Sequence, residues 1–118
     1  MTGERVLVVD DEPQILRFCV ETLIRLHYSV REASTGQEAL ACLAMDSFDL
    51  LIVDLKLPDT DGLTVLRQAR QRDPGLTVIV MTGYATMENA LEALQSGARG
   101  FILKPFGIKE LKSTLEEA

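Results

Sequence analysis

At 118 residues the chain is the size of one domain and too short for two independent cores. Its 47% hydrophobic and 25% charged residues argue against disorder, and 18 acidic against 12 basic residues give a net charge of −6, which repels nucleic acid. No apolar run approaches the ~20 residues of a membrane span, the N-terminus lacks a signal-peptide layout, and Cys19 and Cys42 fit no zinc or disulfide pattern, so a cytoplasmic, reducing compartment is expected.

In chain order, Val6–Val9 is a short apolar run suited to a strand buried on both faces. Pro13 fits the first turn of a helix whose Ile15, Leu16, Cys19, Val20, Leu23 and Ile24 share one side. Tyr28–Ala33 is a weaker strand. Thr35-Gly36-Gln37-Glu38 reads as a capping box before Ala39, Leu40 and Leu43. Leu50–Val53 is a second apolar run, Gly62–Arg70 a third helix, and Asp73-Pro74-Gly75 a turn. Val78–Met81 follows as a strand. Thr86 caps a helix with Met87, Ala90, Leu91 and Leu94 at helical spacing and Gly97 as its stop. Gly100–Leu103 is the last strand, and Ile108, Leu111 and Leu115 stripe a fifth helix.

Five strand–helix repeats predict an α/β fold, a doubly wound five-stranded parallel sheet with helices on both faces. Residues 1–118 are expected to form one domain. Such a sheet places its ligand site beyond the carboxyl ends of the strands. There the sequence has Asp10-Asp11 after the first strand, Asp54 after the third, Thr82 after the fourth and Lys104 after the fifth.

Taken singly, these are ordinary caps, turn formers and a surface lysine. On one rim they would form a site. Two like charges 4 Å apart repel by ~4 kcal/mol at an effective dielectric of 20. Such a cluster keeps a proton or admits a cation. Oxygen ligands without Cys or His suit magnesium. A magnesium ion beside Lys104 is apparatus for phosphoryl transfer, with Asp54 as nucleophile.

The strings VLVVDDEP, LLIVDLKLPDTDGL, VIVMTGY and GFILKPF, in this order, resemble the receiver domain of bacterial two-component response regulators. The resemblance covers essentially the whole chain. It implies a (βα)5 fold with flavodoxin-like strand order 2-1-3-4-5. It also implies Mg2+-dependent phosphoryl transfer from a sensor histidine kinase and slow self-catalysed hydrolysis. Asp54 resembles the phosphoacceptor. Asp11 resembles the direct metal ligand, Asp10 a ligand mostly through water, and the backbone carbonyl of Lys56 a further one. Thr82 resembles the hydroxyl that bonds the phosphoryl group and Lys104 the ammonium that pairs with it. Phe101 occupies the switch aromatic position. The Lys104–Pro105 bond resembles one the family holds cis, and Pro58 and Gly62 match the loop after the acceptor.

Phe101 lacks the hydroxyl of a tyrosine switch. Lys56 and Tyr84 fall at rim positions that tune dephosphorylation in the family, where they would screen the phosphoryl group from water. The fourth helix, fifth strand and fifth helix resemble the usual output and dimer face, here with Arg99, Lys109, Lys112, Glu88, Glu92, Glu110, Glu116 and Glu117. Phe18 lies off the first helix's stripe, as an exposed docking anchor or an incidental apolar residue. His27 reads as structural or solvated, and both cysteines as small core hydrophobes.

Other function classes remain. A haloacid-dehalogenase-like phosphatase wants D-x-D after the first strand, and a flavodoxin wants a Ser/Thr/Gly-rich loop there. The chain has Asp-Asp-Glu-Pro. A stand-alone or non-phosphorylated interaction module stays open, disfavoured by the intact site. The segment from Met81 to Phe106 looks most like receivers joined to transcription activators, particularly of the AAA-type enhancer-binding kind, with a downstream effector domain.

Overall fold

A computed structural model describes residues 3–84 and 86–118. In chain order the elements are β1 (Arg5–Val9), α1 (Pro13–Arg25), β2 (Ser29–Ala33), α2 (Gly36–Met45) and β3 (Leu50–Asp54). They continue as α3 (Gly62–Arg72), β4 (Thr77–Thr82), α4 (Met87–Gln95), β5 (Gly100–Leu103) and α5 (Ile108–Glu117). Met1 and Thr2, part of the N-terminus considered above, lie outside the described residues. So does Ala85, between Tyr84 and Thr86.

All strand pairs are parallel, in the order β2-β1-β3-β4-β5. The chain winds outward from β1 first to one side and then to the other. Strands β1 and β3 therefore flank the switch point of the sheet, where a crevice opens at their carboxyl ends.

Alternation along the central strands builds two apolar layers. Leu7, Val9, Leu51, Val53, Val78 and Val80 pack with Ala39, Val65, Leu66 and Ala93, from α2, α3 and α4. On the other face Val6, Val8, Ile52, Ile79 and Met81 pack with Leu16, Cys19 and Leu23 of α1 and Leu111 of α5. Strands covered on both faces read as unbroken apolar runs, hence their legibility in the sequence.

The termini follow local chemistry. Helix α1 ends in a Schellman motif: Tyr28 N–H donates to the Leu23 carbonyl and His27 N–H to that of Ile24. His27 holds the left-handed position with φ 73°. Thr86 and Asn89 cap α4 reciprocally, and Gly97, φ 108°, follows its end. The box expected at α2 is only half formed. Thr35 Oγ1 accepts from Glu38 N–H, but Glu38 Oε1 turns to the N–H and hydroxyl of Ser34, at 2.7 and 3.0 Å.

Burial departs from the apolar spacing at two helices and settles the open reading of Phe18. In α1, Thr22 is buried while Ile24 is 56% exposed. Phe18 is half-buried and meets Phe106 edge-on at 5.9 Å, tying α1 to the loop before α5, so it is not an exposed anchor. Along α4, Met87 is 88% exposed, with Leu91 and Leu94 about half so, and Ala93 alone is buried. A small residue seats this helix on the sheet, so its larger apolar side chains face out. Cys19 is buried, and that burial, helped by the charge of Asp10, pushes its thiol up to about 12. Cys42 is partly buried against the core. No helix among the described residues is long and apolar enough to cross a membrane.

Candidate functional site

Four strands deliver the site residues. Asp10 follows β1, Asp54 ends β3, Thr82 ends β4 and Lys104 follows β5, all at the carboxyl edge of the sheet. Asp54, Thr82 and Lys104 border an open cleft of about 570 Å3 whose lining also includes Asp11, Glu12, Lys56 and Tyr84, and Asp10 is fully buried beside it. The sequence-predicted residues thus share one edge of the fold.

At its floor a single ammonium is shared by three carboxylates. Lys104 Nζ lies 2.7 Å from Asp10 Oδ2, 2.7 Å from Glu12 Oε1 and 2.8 Å from Asp54 Oδ2. The bonds to Glu12 and Asp54 are hydrogen bonds. Asp10 Oδ2 is paired by distance but lies off the hydrogen-bonding direction, leaving it buried without a hydrogen bond. Asp10 Oδ1 accepts from Glu12 N–H, and Asp54 Oδ1 from Lys56 N–H.

Charge and burial compete here. Burial holds the Asp10 carboxyl above its ordinary range, and Lys104 and the Glu12 amide pull it back only in part. Burial alone would lower the Lys104 ammonium, but the surrounding carboxylates of Asp10, Asp54 and Glu12 outweigh it and raise the net value. The lysine is therefore protonated throughout the neutral range. One positive charge does not neutralise three carboxylates.

The Thr82 hydroxyl is turned to the loop that follows it. It accepts from Tyr84 N–H and donates to the Tyr84 carbonyl, at 3.1 and 3.2 Å. Tyr84 itself is 78% exposed at the rim. Phe101 is half-buried against the core. The Lys104–Pro105 bond is cis, as the resemblance implied. Gly62 lies against β3, where a Cβ would overlap the Asp54 carbonyl.

Glu12 was missed in the sequence. The carboxylates whose oxygens converge within 4.8 Å are Asp10, Glu12 and Asp54, the one such group among the described residues. Asp11 is exposed and lines the cleft without joining that group. Glu12 precedes Pro13 at the start of α1, a position that reads as a helix cap. Its side chain instead crosses to a lysine 92 residues away.

The model of the response regulator receiver domain matches residues 6–116. The chain belongs to this family. The receiver chain is 37% identical over 113 residues to the DNA-binding transcriptional regulator NtrC of Salmonella typhimurium, covering 96% of this chain and 24% of that one. It spans about a quarter of the length of the curated relatives it matches. A CheY-like receiver domain from Methanospirillum hungatei JF-1 superposes with a TM-score of 0.92 at 37% identity, over 97% of this chain and 91% of that one. A response regulator from Burkholderia pseudomallei, solved with a phosphorylated aspartic acid, a calcium ion and citrate, superposes at 0.88. It is 29% identical, over 95% of this chain and 66% of that chain.

Proposed function

We propose that residues 1–118 act as a phosphoacceptor receiver. A carboxylate oxygen of Asp54 attacks the phosphorus of a phosphohistidine on a sensor histidine kinase. The P–N bond breaks, and its electron pair leaves with the imidazole, which takes a proton from solvent. The observation that carries this reading is the buried Asp54 carboxylate held 2.8 Å from the Lys104 ammonium at the floor of an acidic cleft. The phosphorylated aspartic acid and calcium ion of the Burkholderia relative support it.

The donor set fits a hard divalent ion: all oxygen, with one buried carboxylate oxygen lacking a hydrogen bond. Asp10, Asp11, Asp54 and the Lys56 carbonyl would hold Mg2+, with Glu12 adding charge beside them. Bound there, the ion supplies electrostatic neutralisation of the phosphoryl oxygens. Lys104 pairs with a phosphoryl oxygen as its hold on the free carboxylates loosens. The Thr82 hydroxyl leaves Tyr84 to bond another, and Phe101 repacks in response. The receiver catalyses only its own phosphorylation and dephosphorylation.

A switch of this kind serves an output. Exposed Met87, Leu91, Leu94, Leu103 and Ile108 on α4, β5 and α5 suit a homodimer or a downstream effector domain. Names among the relatives point to transcriptional regulation, which the receiver would serve in the cytoplasm.

Incubation with acetyl phosphate and Mg2+ tests the reading. Stoichiometric, Mg2+-dependent, acid-stable and base-labile label is expected, and its absence refutes the proposal. Mg2+ at tenfold its Kd should add about 1.4 kcal/mol of stability, raising Tm by several degrees. Glu12→Gln removes a charge from the rim, and with its solvent screening the loss is ~1 kcal/mol, or about a fivefold weaker Mg2+ affinity. Titration calorimetry checks it; an unchanged Kd leaves Glu12 without this role. Lys56→Ala and Tyr84→Ala are each expected to shorten the lifetime of the phosphorylated protein, and unchanged lifetimes would remove the screening idea.

A further inference from the structure

The segment between Asp54 and α3 is bound at three places. Near its start, Lys56 N–H donates to Asp54 Oδ1. At its end, Gly62 N–H donates to the Leu55 carbonyl at 2.7 Å, and Asp61 caps α3. At its tip, Asp59 crosses to another helix. Its Oδ1 accepts from Gly36 N–H at 2.8 Å and its Oδ2 from Gln37 N–H at 2.9 Å.

These are the first two amides of α2, and Thr35 takes the third. A helix start leaves such amides without intrahelical partners and favours a negative charge. One carboxylate supplies both, from 22 and 23 residues away. The two amides hold the Asp59 carboxyl below its ordinary range. Packing repeats the link: a Cβ on Gly36 would overlap Thr60 Cγ2, so the α2 backbone rests directly on the Thr60 side chain of the loop.

From this geometry we infer that Asp59 is a positioning residue for the acceptor site. By pinning the loop tip to α2 it fixes the Lys56 backbone, whose N–H holds Asp54 and whose carbonyl the proposed function gives to the metal. The inference rests on that function for its chemistry and on the loop geometry for its structure. Partners that orient metal ligands commonly matter by 10- to 100-fold in affinity.

Four chains should be compared: wild type, Asp59→Ala, Asp59→Asn, which keeps one acceptor oxygen, and Gly36→Ala, which pushes on Thr60 and keeps the carboxylate. In metal-free protein, hydrogen exchange of the Lys56 amide is expected to quicken in Asp59→Ala. Its Mg2+ Kd should rise about tenfold, and its labelling by acetyl phosphate at saturating Mg2+ should slow. Asp59→Asn should fall between, and Gly36→Ala should follow Asp59→Ala in direction. A lower Tm with unchanged exchange, Kd and labelling would make Asp59 merely a helix cap and overturn the inference. Wild-type protein that takes no label would overturn the phosphoacceptor reading instead, with the exchange result still judging the loop.

Discussion

An Asp54→Asn chain is expected to take up no phosphoryl label while remaining folded. Both carboxylate oxygens are engaged, Oδ1 with Lys56 N–H and Oδ2 with Lys104 Nζ. The side chain therefore arrives already oriented. An amide keeps the shape and one acceptor but loses the charged nucleophile. Stability responds to two opposed terms. Removing one of three converging carboxylates relieves repulsion of about 3 kcal/mol with each of the other two, at ~5 Å and an effective dielectric of 20. The same change removes one partner of Lys104. A Tm within a few degrees of wild type is expected, read by circular dichroism beside the labelling assay. Full label on Asp54→Asn would move the acceptor elsewhere, and loss of the fold would make Asp54 structural.

Legibility of this fold follows burial. The runs Val6–Val9, Leu50–Val53 and Val78–Met81 are covered on both faces, so composition alone marks them. The edge strand Ser29–Ala33 buries little beyond Ala33, and its signal is correspondingly weak. Helix α4 shows the reverse failing. Its apolar spacing is helical, but spacing cannot say which side meets the sheet, and Ala93 does so while Met87, Leu91 and Leu94 face out. The site was legible wherever a residue directly follows a strand, because the parallel sheet itself brings those ends together. Glu12 and Asp59 were not legible. Each works through a side chain reaching an element distant in sequence, Glu12 to Lys104 and Asp59 to the start of α2. A carboxylate before a proline or in a turn has a sufficient local explanation, and only coordinates reveal the distant partner.

Lys104→Met is expected to cause the largest loss of stability, and the loss should depend on pH and on Mg2+. The lysine side chain is 9% exposed and lies beside the buried carboxylates of Asp10 and Asp54. Methionine keeps most of the stem volume, which separates lost charge from lost packing. Removing one partner of a buried pair leaves uncompensated charge and costs ~3 kcal/mol or more, roughly 10 °C in Tm for a domain of this size. In wild type the raised Lys104 value means its contribution is complete at every pH below the ordinary lysine range, fading only as pH rises through the folded value. Between pH 5.5 and 7.5 it is constant. Without the ammonium, the folded Asp10 value, already raised by burial, rises further. A group so raised favours the fold below its unfolded value, and that benefit is lost as pH rises through the folded one. The deficit of Lys104→Met against wild type should therefore be larger at pH 7.5 than at pH 5.5. Mg2+ should reverse much of it, because a divalent ion replaces the missing positive charge where the carboxylates meet. Melts at both pH values, with and without Mg2+, decide the matter. A deficit indifferent to pH and metal would mean that Lys104 acts through packing, and that the carboxylates do not share its charge.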